Sequence, residues 1–345
     1  MGERRRAVLG VVLLAGVVLG GCGGGGGGGG DGPTTVRLGY FPNLTHAAAI
    51  AGAERGIFAG ALGPHRLRTT TFNAGPAAVE ALFSGALDAT YIGPNPAINA
   101  FARSGGEAIR IVSGATSGGA ALVVSPTISS VAQLKGTKLA TPQLGGSQDV
   151  ALRHWLKENG LRTDAQGGGD VSVLPQENAQ TLETFRSGAI AGGWAPEPWA
   201  TRLVQEAGAK VLVDERSLWP GGAFVTTHLV VRTAFLRDHP DAVRRLVEGQ
   251  VEANAWVNAN PAEAREVVNA GIEKLTGRRL SLAVLEAAWA NLTFTNDPLA
   301  SSLRASAEHA VAVGLLERVN LDGIYDLNLL NGVLSIRGQQ AVVER

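Results

Sequence analysis

Cysteine is nearly absent from this chain of 345 residues, which has only one, at position 22. A single cysteine cannot form an internal disulfide, and six scattered histidines do not make the ligand clusters of metal sites. Charge is also scarce, since 17% of the residues are charged and 30 basic residues balance 30 acidic ones. A neutral chain has no electrostatic basis for binding nucleic acid. We therefore expect no nucleic-acid partner, no metal and no cofactor.

The N-terminal apolar stretch is shorter than the roughly 20 residues of a membrane-spanning helix. It covers residues 7–19, follows three arginines, and leads through Gly20-Gly21 to Cys22 and a run of eight glycines. A basic start, an apolar segment and small residues before a cysteine resemble a bacterial lipoprotein signal. This pattern predicts a signal peptide over residues 1–21, lipidation of Cys22 and a flexible tether over residues 22–33. The alternative is an ordinary signal peptide with an incidental cysteine.

After the tether, short apolar strands alternate with helices, a pattern that favours a mainly parallel α/β sheet. Asn95 followed by Pro96 is typical of a helix start, and Ser147 is expected to cap another helix. Strands are predicted at residues 36–40, 88–92, 109–112, 121–124, 137–141, 171–174, 190–194 and 225–231. Helices are predicted at residues 46–58, after 73–76, from 95–96, and at 147–160, 179–186, 241–258 and 262–275.

One supersecondary unit occurs twice. Residues 80–91 read EALFSGALDATY and residues 183–194 read ETFRSGAIAGGW, and a proline turn follows each segment. Each unit is a helix, a Ser-Gly stop, a strand and an aromatic residue, so the sequence predicts two similar α/β lobes. Because ligands of open α/β sheets bind beyond the carboxyl ends of the strands, the two proline turns should face each other across a cleft.

Several segments together resemble the periplasmic binding proteins of sulfonate, taurine and nitrate importers. They are GYFP at residues 39–42, FNAGP at 72–76, EALFSGALD at 80–88, YIGP at 91–94, LKGTKLAT at 134–141, WAPEPW at 194–199 and FLRDHP at 235–240.

The resemblance implies a two-lobed type II binding-protein fold with a ligand cleft between the lobes. The first lobe would comprise residues 34–124 and 226–345, the second residues 125–225, and the strands at 121–124 and 227–231 would form the hinge. It also implies a protein that is not an enzyme and passes a small ligand to an ABC permease with its ATPase. With the predicted lipidation of Cys22, we expect a monomer that is anchored to the membrane outside the cytoplasm.

Helix N-termini are expected to line the cleft, because their unpaired backbone N–H groups and roughly half a positive charge attract anions. No lysine lies in these turns, so the ligand is expected to be an anion or a zwitterion held by neutral groups. The candidate ligand-binding residues are Asn43, Thr45, His46, Gly75, Pro76, Tyr91, Gly93, Asn95, Thr116, Ser117, Ser147, Gln148, Trp194, Glu197 and His228.

Several alternatives stay open at the level of sequence. Glu197 could pair with the amine of an aminosulfonate, or it could serve only the dipole of the following helix, which is the simpler reading. Trp194 and Tyr91 could wall the ligand or fill the core. An aliphatic sulfonate or taurine is the favoured ligand, with nitrate, an aromatic acid or a thiamine-pyrimidine precursor as alternatives. An enzyme of the pyrimidine-precursor type is disfavoured, since its cysteine-rich segment is missing.

Overall fold

The computed structural model describes residues 32–344. The predicted signal peptide, Cys22 and nearly all of the predicted tether therefore lie outside the described residues. Between residues 32 and 344, no helix has both the length and the apolar character that a bilayer crossing requires.

Two mixed β-sheets organise the described residues. The six-stranded sheet has the order β11-β4-β10-β3-β1-β2, and the five-stranded sheet has the order β7-β6-β8-β5-β9. We call the first sheet with its helices lobe 1 and the second sheet with its helices lobe 2. The strands are β1 (Thr35–Tyr40), β2 (Arg66–Thr71), β3 (Ala89–Ile92), β4 (Ile109–Gly118), β5 (Ala120–Val124), β6 (Lys138–Thr141), β7 (Ser172–Pro175), β8 (Gly192–Pro196), β9 (Lys210–Asp214), β10 (Val225–Arg232) and β11 (Leu292–Phe294).

The sheets are less uniformly parallel than the sequence pattern indicates. Strands β1, β2 and β3 pair in parallel, as do β6, β7 and β8. However, β10 runs antiparallel between β3 and β4, and β5 runs antiparallel between β8 and β9. Strands β10 and β5 are each the first strand after the chain crosses from the other lobe. Antiparallel neighbours do not need the helical crossover that parallel neighbours need.

The crossing between lobes lies earlier than the predicted boundary at residue 124. Strand β4 runs to Gly118, and Gly118 and Gly119 both have positive φ angles, 78° and 77°. Glycine tolerates this backbone conformation, which turns the chain out of the first sheet. Strand β5 then pairs entirely within the second sheet. Residues 120–124 thus belong to lobe 2, and the return crossing lies between β9 and β10.

Helices cover the faces of both sheets. They are α1 (Ala47–Glu54), α2 (Ile57–Leu62), α3 (Gly75–Phe83), α4 (Pro94–Arg103), α5 (Ser147–Glu158), α6 (Asn178–Arg186), α7 (Trp199–Ala207), α8 (Thr233–Asp238), α9 (Pro240–Ala259), α10 (Pro261–Thr276), α11 (Leu282–Trp289), α12 (Ala300–Ala312) and α13 (Asn328–Ile336).

Three helix boundaries differ from the predictions. The helix predicted over residues 46–58 is interrupted at Gly56, whose φ angle is 70°. Helix α4 is capped by Gly93 and begins at Pro94, so Asn95 lies inside its first turn. Helix α5 is capped by Gly146, and Ser147 is its first residue rather than its cap. In both α4 and α5 the capping position carries no side chain, which leaves the first N–H groups without a side-chain acceptor.

Each lobe has its own apolar core, and the lobes also touch each other. Lobe 1 has one large cluster around its six-stranded sheet, while lobe 2 has a cluster on each face of its sheet. At one contact between the lobes, His154 of α5 stacks on His309 of α12 with ring centroids 3.7 Å apart. Residues at the carboxyl ends of β1 and β3 in lobe 1 and of β6 and β8 in lobe 2 line one shared cavity, so these strand ends face each other.

Candidate ligand-binding site

A small cavity of about 40 Å³ lies between the two lobes. It holds only a few water-sized volumes, which is the scale of an oxyanion rather than of a drug-sized molecule. Lobe 1 lines it with Phe41, Asn43, Thr45, His46, Asn73, Ala74, Gly75, Gly93, Pro96 and Thr226, and lobe 2 lines it with Pro142, Gln143, Gly146, Ser147, Gln148, Asn178 and Pro196.

Four helix starts meet at this cavity. The first residues of α3, α5 and α6 line it, and α4 contributes Gly93, which precedes the helix, and Pro96 in its first turn. No side chain caps any of these helices, and the capping positions of α3, α4 and α5 are Ala74, Gly93 and Gly146.

The first N–H groups of a helix have no partner within the helix. Pro76, Pro94 and Pro96 have no N–H, so the first three residues of α4 supply only the N–H of Asn95, and the other backbone donors come from α3, α5 and α6. These donors and the positive helix-dipole ends suit an anion.

No aspartate, glutamate, lysine or arginine appears among the cavity-lining residues of the described chain. A site of this composition can hold an anion only through neutral donors and dipoles. Such donors need no counter-ion of their own, so they avoid the cost of burying an unpaired cation.

His46 is a neutral donor at the wall of this cavity. Its side chain is buried, and its Nδ1 accepts a hydrogen bond from the backbone N–H of Phe41 at 3.3 Å. Because Nδ1 is the acceptor, the proton of the neutral ring lies on Nε2. Burial lowers the pKa of His46 to about 3. The ring also packs on Phe41 with centroids 4.3 Å apart, which fixes its orientation.

Ser147 brings a hydroxyl to the boundary between the lobes. Its Oγ is buried and has no hydrogen-bond partner among the described residues. A Cβ atom placed on Gly93 of lobe 1 would lie 2.5 Å from this oxygen. The unpartnered hydroxyl therefore lies where Gly93 of lobe 1 approaches the start of α5 in lobe 2.

Two hydrogen bonds tie the lobes together beside the cavity. The Trp199 Nε1–H donates to Oδ1 of Asn43 at 3.0 Å, and Nδ2 of Asn73 donates to Glu177 at 2.8 Å. Both connect a cavity-lining residue of lobe 1 to lobe 2. The structure therefore has the lobes in contact around the cavity.

Seven of the residues predicted from sequence line the cavity. These are Asn43, Thr45, His46, Gly75, Gly93, Ser147 and Gln148. Each lies where a helix follows the carboxyl end of a strand, which is the position that the sequence argument used.

Five other predicted residues in lobe 1 face the protein interior instead. The Tyr91 hydroxyl donates to Gln250, the Asn95 amide to the Ser306 carbonyl, and the Thr116 hydroxyl to the Thr45 carbonyl. Ser117 Oγ accepts from the backbone N–H of Phe224, and Nε2 of His228 bonds to the Pro298 carbonyl. Their hydrogen-bonding capacity is used inside lobe 1 and its crossings, so they do not line the cavity.

Pro76, Trp194 and Glu197 also lie off the cavity. Pro76 lines a separate groove beside α3, and Trp194 is buried in lobe 2, where its Nε1–H donates to Glu215 at 2.6 Å. Glu197 accepts from the backbone N–H and hydroxyl of Thr201, in the first turn of α7. The carboxylate of Glu197 thus lies at the N-terminal turn of α7, where the simpler of its two predicted roles, favouring the helix dipole, would place it.

The sequence reasoning missed ten cavity-lining residues. Asn73, Gln143 and Asn178 matter most, because they bring amide groups to the cavity. Each follows a strand, β2, β6 or β7, so the rule about strand ends could have found them. The exposed strand β2, RLRTTT, was not recognised because it lacks an apolar pattern. The other missed residues are Phe41, Ala74, Pro96, Pro142, Gly146, Pro196 and Thr226.

Comparison with known proteins decides the family. The model of the NMT1-like family matches residues 29–272, which is most of the chain. The chain belongs to the NMT1-like family.

Two curated relatives of this NMT1-like protein are binding proteins. It is 29% identical to a Brucella abortus protein named "Putative binding protein BAB2_1146" over 238 residues, covering 67% of this chain and 70% of the relative. It is 27% identical to the taurine-binding periplasmic protein of Escherichia coli over 195 residues, covering 55% of this chain and 57% of the relative.

Two solved structures share the fold. The alkanesulfonate-binding protein SsuA of Xanthomonas axonopodis pv. citri, bound to MOPS, superposes with a TM-score of 0.70 at 20% identity and covers 84% of this chain and 96% of its own. The nitrate-binding protein NrtA of Synechocystis PCC 6803 superposes with a TM-score of 0.72 at 16% identity and covers 88% of this chain and 89% of its own. The predicted two-lobed binding-protein fold is confirmed.

Proposed function

We propose that this NMT1-like protein captures a small oxyanion outside the cytoplasm and delivers it to the permease of an ABC importer, without chemical turnover. An aliphatic sulfonate is the first candidate ligand. The observation that carries this proposal is the cavity between the lobes, where four uncapped helix starts meet without any charged side chain.

The chemistry of the cavity supports an oxyanion in particular. A sulfonate is ionised at every physiological pH and has three acceptor oxygens, which match neutral N–H and O–H donors. His46 Nε2, the Ser147 hydroxyl and the helix N–H groups come from both lobes. A ligand that accepts hydrogen bonds from both lobes would hold them together and present one closed surface to a permease.

Nitrate is the second candidate, and the size of the cavity favours it. About 40 Å³ suits a four-atom anion better than a sulfonate with a carbon chain. The related fold of a nitrate-binding protein is consistent with this alternative.

A thermal-shift screen tests the proposal. A ligand present at about 100 times its Kd adds about 2.7 kcal/mol to the free energy of unfolding. We expect alkanesulfonates to raise the Tm more than nitrate does. A larger shift with nitrate would select the second candidate, whereas the absence of any shift with sulfonates, nitrate or other small anions would reject the proposed function.

We also propose that the protein is a lipoprotein, attached to the membrane through acylated Cys22. The support is the sequence pattern at residues 4–30. Metabolic labelling with radioactive palmitate should mark the full chain, and Cys22→Ser should abolish the label and release the protein from the membrane fraction. Equal membrane association of both forms would reject the anchor.

A further inference from the structure

We propose that the cavity selects against ammonium groups, so that it takes simple or hydroxyl-bearing sulfonates in preference to aminosulfonates such as taurine. This inference rests on the proposed function and specifies the ligand class of the same site. By this inference, the preferred ligand of this chain differs from the taurine for which its Escherichia coli relative is named.

The first observation is that no carboxylate lines the cavity of the described chain. Asp149, Glu177 and Glu197 each adjoin a lining residue in sequence. The carboxylate of Asp149 is buried and accepts hydrogen bonds from the Thr141 hydroxyl, the Gly145 N–H and the Arg153 guanidinium.

Glu197 is 2% exposed and turned toward a different cavity of about 160 Å³ near the crossing between the lobes. Its oxygens accept hydrogen bonds from Thr201 and from Nδ2 of Asn291, the latter at 2.7 Å. Glu197 therefore has its partners already and cannot serve as the counter-ion of a ligand amine.

The second observation is that several acceptors at the cavity are already engaged. Oδ1 of Asn43 accepts from Trp199, and the Thr45 carbonyl accepts from two hydroxyls, those of Thr116 and Thr227. An ammonium group donates three hydrogen bonds and accepts none. The donor groups at the helix starts and at His46 cannot satisfy it, and the amide oxygens of Gln143, Gln148 and Asn178 offer it neutral acceptors but no ionic partner.

The third observation concerns the charges around the cavity mouth. Glu177 lies there, but its side chain is exposed and hydrogen-bonded to Asn73, so water screens its charge. A neighbouring pocket of about 590 Å³ shares Asn73 with the cavity. Its charged lining residues are three arginines, Arg202, Arg278 and Arg279, and two glutamates, Glu183 and Glu206.

Two of the three arginines of that pocket are matched by acids, since Arg202 pairs with Glu206 and Arg279 pairs with Glu266 and Glu273. The repulsion of a cation therefore comes from the helix dipoles inside the cavity. An ammonium group that entered would lose its hydration without gaining an ionic partner, which is costly in a buried site. A methyl or hydroxyl group in the same place would escape most of this cost.

Isothermal titration of the full chain with three sulfonates of similar size tests the inference. Propane-1-sulfonate, 2-hydroxyethanesulfonate and taurine differ at one terminal group, which is a methyl, a hydroxyl or an ammonium. We expect taurine to bind at least about tenfold more weakly than both others, which corresponds to ~1.4 kcal/mol. Taurine binding as tightly as either would overturn the inference and leave the proposed function intact, while failure of all three and of nitrate would remove both.

Two variants sharpen the test. Gln148→Glu places a carboxylate at the cavity. We expect it to shift the ratio of taurine affinity to propane-1-sulfonate affinity toward taurine by about tenfold, ~1.4 kcal/mol. The matched control Gln180→Glu, on the exposed face of α6, should leave this ratio unchanged. Glu177→Gln should leave taurine binding within about twofold, ~0.4 kcal/mol. A selective loss of taurine binding in Glu177→Gln would show that the rim carboxylate holds the ammonium, against the inference.

Discussion

Gly93 of lobe 1 lies directly against Ser147 of lobe 2, so closely that a Cβ atom on Gly93 would come within 2.5 Å of the Ser147 hydroxyl oxygen. The same Cβ would lie 3.3 Å from the Thr226 carbonyl oxygen. The backbone of Gly93 is extended, with φ −74° and ψ 169°, so alanine is compatible with its conformation. The glycine is required by the approach of the lobes rather than by the backbone.

Gly93→Ala should therefore weaken ligand binding while leaving each lobe folded. The added methyl group would hold the lobes slightly apart, and we expect a loss of affinity of about tenfold, ~1.4 kcal/mol. Titration with a bound sulfonate measures this loss, and the Tm of the ligand-free protein serves as the control for folding.

The effects of Gly93→Ala and Ser147→Ala should not be additive, because the two groups interact. In a double-mutant cycle, we expect Ser147→Ala to lower the affinity of the wild type more than it lowers the affinity of the Gly93→Ala variant. Strictly additive effects would show that the lobes do not meet at these residues in the bound state.

Ligand binding should be nearly independent of pH between 5 and 8. Burial holds the pKa of His46 at about 3, so its ring stays a neutral donor across this range, and sulfonates stay ionised. We expect Kd to vary by no more than about twofold, ~0.4 kcal/mol. Binding that tightens tenfold as the pH falls through 6.5 would instead mean that His46 is a cation when ligand is bound.

The same histidine should make the fold sensitive to acid. The unfolded chain takes up this proton near pH 6.5, whereas the native state resists it down to about pH 3. The contribution of the neutral His46 ring to the free energy of unfolding is therefore complete above pH 6.5 and is lost as the pH falls toward 3. We expect the wild type to lose about 2 kcal/mol more than His46→Gln between pH 7 and pH 5 in urea unfolding.

Glu215 should give the opposite dependence on pH. Its carboxyl is buried against Trp194, and burial raises its pKa from 4.5 to about 7. The native state keeps this proton to about pH 7 while the unfolded chain releases it near 4.5, so stability falls as the pH rises between these values. Between pH 5 and pH 8, we expect the free energy of unfolding of the wild type to fall by about 2 kcal/mol more than that of the Glu215→Gln variant.

Urea unfolding of both forms at the two pH values measures this difference, since the other titrating groups are common to them. Parallel stability curves for Glu215→Gln and the wild type would contradict a raised pKa at this site.

The sequence alone predicted eight of the eleven strands of the described residues, but not β2, β9 or β11, and it predicted part of the lining of the cavity. Short apolar segments alternate with amphipathic ones, and each helix start at the cavity follows the end of a strand. Gly75, Gly93 and Ser147 were found in this way and do line the cavity. This works because helix N-termini and strand ends are local features, recognisable from a few neighbouring residues.

Only the tertiary structure decided which side chains line the cavity. Every residue of strand β8 is buried, so Trp194 could equally have pointed to the cleft or to the core, and the fold turns it toward Glu215. His46 and His228 are both buried histidines in sequence segments of similar character, yet only His46 reaches the cavity. The direction of a buried side chain depends on packing between distant segments, which no local pattern records.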